Sequence, residues 1–241
     1  MSNQIIVLAN SPEINEWSRR CRKSRKLSTV WLFLRHCTFH YHMSRNALNK
    51  DRLYVALYAR GGKVKMPGGE DAYAHNPLLR EMIADICFRY HWGLLVGPKK
   101  ESDSSRGMRY HANERIHGPD QQEWFFEELE TTIKTASMLL VRVMVGKVEN
   151  TAHLVEILRR VPTWQGEPSW NCVAWVKGAL EFLAADGKTI GTSVLNWKKV
   201  RDTSTSYVRR KKEQHRFDGT RNFSSTEPPT FDMIENTELT E

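Results

Sequence analysis

The chain has 241 residues, 40% of them hydrophobic, with eight tryptophans and nine phenylalanines, which is enough apolar side chain for a full core and too much for a disordered polymer. Its net charge of +8 gathers in Arg19–Arg25 and Arg209–Lys212; no RNA- or DNA-binding signature accompanies either block, so nucleic acid is not the expected partner. The four cysteines form no Cys-x-x-Cys pair, the N-terminus has no basic stretch ahead of an apolar one, and no apolar run nears the ~20 residues of a membrane span. These features argue against a disulfide-stapled secreted scaffold and a transmembrane segment, and the expected location is the cytoplasm, with the nucleus open.

Residues 1–50 are basic and rich in histidine, carry no sustained apolar period, and read as an extension outside the core. Leu53–Arg60 is a buried-strand pattern stopped by Gly61-Gly62, and Pro67-Gly68-Gly69 is a second turn. Leu78, Met82, Ile83 and Ile86 recur at helical spacing and predict a short helix to Arg89. Trp92–Gly97 and Met108–Ala112 read as strands joined by the polar loop Pro98–Gly107, whereas Trp124–Ile133 fits either a helix or a strand. Met138–Val148 carries the strongest strand signal. Asn150 caps a helix ending at Pro162, and Asn171 caps another in which Val173, Val176, Leu180 and Leu183 share a face up to Asp186-Gly187. Thr192–Val200 and an amphipathic helix to about Arg216 follow, completing a domain over residues 51–216. The Thr/Ser/Pro/Glu-rich residues 217–241 read as a disordered tail. Strands in the first half and helices in the second predict an α+β domain.

The chemistry centres on Cys172. It falls in the first turn of the helix capped by Asn171, where free backbone N–H groups and the macrodipole favour an anion and predict a lowered thiol pKa. Two histidines lie upstream in strand contexts, His91 at the head of one strand and His111 in the next. Residues opposite one another in a hairpin have Cβ atoms about 4.5–5.5 Å apart, so the two rings can meet. Cys172, His91 and His111 then form a candidate nucleophile, base and orienter, predicted to share the sheet face that receives the Cys172 helix. Trp170 and Trp175 bracket the cysteine and fit a substrate-binding wall, with Asn171 beside it, or core packing equally well. His36-Cys37-x-x-His40-x-His42 has metal-ligand residue types but matches no common zinc spacing, and no phosphate-cradling glycine motif is present, so neither metal nor cofactor is expected.

Three motifs, His91-Trp92-Gly93-Leu94-Leu95-Val96-Gly97, Tyr110-His111-Ala112 and Asn171-Cys172-Val173-Ala174-Trp175-Val176, resemble the lecithin-retinol-acyltransferase-like branch of the permuted papain-like (NlpC-type) thiol enzymes. That resemblance implies a permuted papain-like domain, an antiparallel sheet packed against the cysteine-bearing helix, with Cys172 as nucleophile, His91 as base and His111 as the third polar residue. Gly93 stands where that branch has Ala, and Val173-Ala174 where it has Glu-His. The chain is also similar to a group of fungal proteins sharing the Tyr-Val-Ala-Leu-Tyr, His-Trp and Trp-Asn-Cys elements, against which Ala74–Arg89 reads as an insertion. The implied activity is that of a cofactor-free hydrolase or acyltransferase acting on an amide, ester or thioester carbonyl. The alternatives are a non-catalytic binding module on the same fold, or a basic adaptor using the two charge blocks.

Overall fold

A computed structural model describes residues 50–60, 90–118, 121–134, 136, 138–167, 170–224 and 226–240, all within the compact unit Arg45–Glu241. The expected N-terminal extension up to residue 49, the turns at 61–62 and 67–69, the helix at 78–89, the insertion at 74–89 and the His36–His42 cluster lie outside the described residues.

Five long strands lead the described chain: β1 (Arg52–Ala59), β2 (Tyr90–Gly97), β3 (Arg106–Gly118), β4 (Gln121–Thr132) and β5 (Leu139–Val148). Two helices follow, α1 (Thr151–Leu158) and α2 (Cys172–Asp186), then β6 (Ile190–Ser193), α3 (Trp197–Glu213), β7 (Thr230–Asp232) and β8 (Thr237–Thr240). The sheet runs β4-β3-β2-β1-β5-β7-β8, with β6 also on β5. Most neighbours are antiparallel, but β7 runs parallel to β5, with Arg142 opposite Thr230 and Met144 opposite Asp232.

The sheet corrects the expected fold class. Among the described residues eight strands outnumber three helices, the sheet is mixed rather than antiparallel, and strands persist to residue 240. The architecture is strand-dominated rather than an α+β domain of papain-like type. Much of the difference comes from residues 217–241, read as a disordered tail, which supply β7 and β8. Their polar composition hid the partners that fold them. Pro229 and Met233 bond with the β5 backbone (Arg142 N–H to Pro229 O 3.0 Å, Met233 N–H to Met144 O 3.1 Å). Glu238 meets the buried Lys211 Nζ at 2.6 Å and accepts from the Tyr207 hydroxyl at 2.6 Å. The ambiguous segment Trp124–Ile133 is largely strand β4, since pairing with β3 along nearly its whole length overrides its mixed pattern.

β1 lies inside the sheet, between β2 and β5, and is buried almost throughout, as its continuous apolar run requires. Its alternate side chains enter two cores. Leu53, Val55 and Leu57 join Trp92, Leu94, Tyr110 and Ala112 under the helices, whereas Tyr54, Ala56 and Tyr58 join Leu95, Ile133 and Met144 on the other face. α2 packs on β2 and β3 while α3 packs on β5 and β1. Asn171 starts α2 by accepting from the Val173 and Ala174 N–H groups, and Gly187 ends it at φ 66, a conformation that costs residues with a Cβ. Ala179, Leu180 and Leu183 bury its apolar face. No described helix is long and apolar enough to cross a membrane.

Candidate thiol and histidine site

β2 and β3 form a short ladder, from Val96↔Met108 to Leu94↔Tyr110. Beside that ladder, the backbone N–H groups of Trp92 on β2 and of Cys172 and Val173 in the first turn of α2 favour the thiolate form of Cys172. Arg60, just past β1, brings Nη2 to 4.0 Å from Sγ. The helix start therefore sits where sequence reasoning placed it, with donors around the sulfur.

His91 and His111 meet at the end of the same ladder. His91 Nε2 lies 2.6 Å from His111 Nδ1, with the rings edge to face at 4.8 Å between centroids. Gly93 makes room for this approach, because a Cβ there would sit 3.2 Å from His111 Cβ and 3.2 Å from Tyr110 O. Behind the pair, Glu127 on β4, opposite His111, places Oε2 2.8 Å from His111 Nε2, although off the hydrogen-bond axis, and accepts from Asn113 Nδ2 at 3.1 Å. The carboxylate favours a proton on His111 Nε2. Nδ1 of His111 is then the acceptor, His91 Nε2 the donor, and His91 Nδ1 carries the lone pair of its ring.

One expectation about this site is corrected. The alternation that sends Trp92, Tyr110 and Ala112 under α2 turns His91 and His111 to the opposite face, where His91 neighbours Tyr58 (ring centroids 6.3 Å). The two imidazoles share a face, as expected, but not the one that receives the helix. Thiol and imidazoles reach the end of the β2–β3 ladder from opposite sides.

The electrostatics also differ from expectation. Cys172 has no exposed surface, and burial pushes its thiol pKa up against the opposing pull of Arg60 and the backbone N–H groups. The helix N-terminus alone predicted the reverse, because sequence does not show how completely the sulfur leaves water. Burial likewise lowers both histidines to about 3, reinforced at His91 by His111, Arg60 and Arg109 and at His111 by Arg109. At neutral pH the site holds a protonated thiol and two uncharged imidazoles.

Trp170 and Trp175 are core rather than wall. Trp170 stands edge to face with Trp124 at 5.3 Å, and Trp175 is fully buried against Phe126 at 5.5 Å. Asn171 spends its side-chain oxygen on Val173 N–H (2.9 Å) and Ala174 N–H (3.2 Å). Sequence reasoning missed Arg60, Glu114 and Glu127. Arg60 Nη2 is also 4.0 Å from Glu114 Oε2. The signal for Glu127 and Glu114 was a β4 strand assignment and the β3 alternation; nothing in the sequence marked Arg60.

A family model described as a family of unknown function, DUF6914, matches residues 50–240, and the chain belongs to that family. No curated protein matches the chain, and no solved structure does.

Proposed function

We propose that this DUF6914 protein is a thiol-dependent hydrolase or acyltransferase acting on an amide, ester or thioester carbonyl. The supporting observation is the convergence at one ladder end of a helix-opening sulfur ringed by N–H donors and a hydrogen-bonded His91–His111 pair backed by Glu127. Cys172 gives its proton to His91 Nδ1 as sulfur attacks the carbonyl carbon. The resulting oxyanion takes N–H bonds of the kind that now surround the sulfur. His91 returns the proton to the leaving group as the carbon–heteroatom bond breaks, leaving an acyl-thioester that water or another nucleophile resolves. His111 orients His91 and shares the charge it gains. The face difference and the burial of Cys172 require that the first turn of α2 open toward His91 before attack.

The sealed sulfur and its raised pKa favour a second reading, a binding module in which the thiol is a packing group. One experiment separates the two. Native protein is treated with thiol-directed acyl probes of the amide, ester and thioester types, and adducts are mapped by mass spectrometry. The enzyme reading expects an adduct on Cys172, lost in Cys172→Ser and slowed about 100-fold or more in His91→Ala. A folded native protein that forms no Cys172 adduct with any probe supports the binding module.

A further inference from the structure

Resting on the thiol-enzyme reading, the geometry points to Arg60 as the residue that sets the ionisation of Cys172, with Glu114 competing for its guanidinium. Nη2 of Arg60 lies 4.0 Å from the sulfur and 4.0 Å from Glu114 Oε2. The carboxylate distance exceeds a direct charged hydrogen bond of about 2.8 Å, and the sulfur contact is a long N–H···S hydrogen bond. Arg60 is thus suspended between a sulfur and a carboxylate, bonded closely to neither. Its side chain is 15% exposed and that of Glu114 28%, so the charge works in a poorly solvated setting where a small displacement changes its energy substantially.

The surrounding charges make Arg60 the decisive one. β3 contributes Glu114, Arg109 and His111, β4 contributes Glu127, β2 contributes His91, and α2 brings the thiol. The imidazoles are uncharged at neutral pH, and Glu127 is turned to His111 and Asn113. Among the described residues Arg60 is the cation that bonds the sulfur, and it lowers the thiol pKa where burial raises it. Movement toward Sγ favours the thiolate; movement toward Glu114 restores the neutral thiol. The thiol is therefore switched by whatever occupies Glu114, so a cationic group on a substrate or partner that engages Glu114 would release Arg60 to the sulfur.

The test is thiolate absorbance near 240 nm against pH, each protein referenced to its Cys172→Ser counterpart, over the range in which near-ultraviolet circular dichroism stays native. Glu114→Gln should move the thiol midpoint down by about one pH unit, and Arg60→Gln up by a similar amount, with Arg60→Lys in between. The double variant Arg60→Gln/Glu114→Gln should titrate like Arg60→Gln alone, because Glu114 acts through Arg60. A Glu114→Gln protein whose thiol ionises no earlier than the native one overturns the proposal. So does a double variant that keeps the downward shift of Glu114→Gln, which would mean the carboxylate acts on sulfur directly. The titration needs no turnover, so failure of the acyl probes alone leaves this result standing.

Discussion

The buried imidazole pair should make the protein acid-sensitive in a window that its carboxylates do not share. His91 and His111 titrate near 3 in the fold because burial disfavours their charged forms, against about 6.5 in an unfolded chain. A depressed histidine pKa means that the unfolded state binds the extra proton first. The contribution is fully present above about pH 6.5 and is lost as pH falls toward about 3. Between pH 7 and pH 5 the loss is about 2 kcal/mol for each histidine, a large part of a typical domain's 5–15 kcal/mol. The lowered Asp186 and Asp218 begin to lose their stabilisation only near the ordinary carboxylate range, close to pH 4. His153, held up by Asp186, works in the opposite sense: its contribution is present below about pH 6.5 and is lost as pH rises through its raised folded value, so it offsets part of the fall. Urea unfolding at pH 7, 6 and 5 should show stability falling steeply, and His111→Asn should reduce the fall by about half. A stability level across these pH values, or the same slope in native protein and His111→Asn, would show that the imidazoles are solvated and not held edge to face in a dry contact.

Other outcomes follow from particular contacts. Gly107→Ala should cost about 3 kcal/mol in urea unfolding, since a Cβ there would lie 2.3 Å from the Val96 carbonyl oxygen, which belongs to backbone and cannot rotate away. Glu238→Ala should cost about 3 kcal/mol by leaving the ammonium of Lys211, 2% exposed, without its carboxylate, and Lys211→Met in the same assay should cost less because it removes the buried charge itself. Cys172→Ser should cost about 1–2 kcal/mol, since the hydroxyl enters a fully buried site yet can still accept from Trp92 N–H.

What the sequence disclosed follows from where the information is local. The strand at Leu53–Arg60 and the helix opening at Cys172 were legible because a continuous apolar run and an Asn cap with following apolar spacing act within a few residues. The meeting of His91 and His111 was legible only in part: the sequence reading set them opposite one another across a long polar loop, whereas the register that continues from Leu94↔Tyr110 puts Gly93 opposite His111, and the rings meet diagonally. The side of the sheet was harder. Alternation ties His91 to the face opposite Trp92, and which face receives α2 depends on whether Trp92 or the histidine is the core residue; the larger apolar ring wins that competition. β7 and β8 were illegible for a different reason. Their polar side chains satisfy partners on β5 and α3, contacts that span about 30 to 90 residues of chain and leave no periodic trace.

Burial decides how the site works. The helix N-terminus, Arg60 and the N–H of Trp92 each favour a thiolate, yet the sulfur remains protonated because all of them act in a place without water. The same dryness keeps the imidazoles neutral, so neither partner carries a charge that could draw the other through the sheet. Any change that admits water to the end of the β2–β3 ladder moves both groups at once, raising the histidines and lowering the thiol toward their ordinary values. A site arranged in this way is quiet when closed and gains nucleophile and base together on opening. Access is therefore the variable that activity should follow, and the Arg60 guanidinium beside the sulfur sets how far the opened thiol ionises.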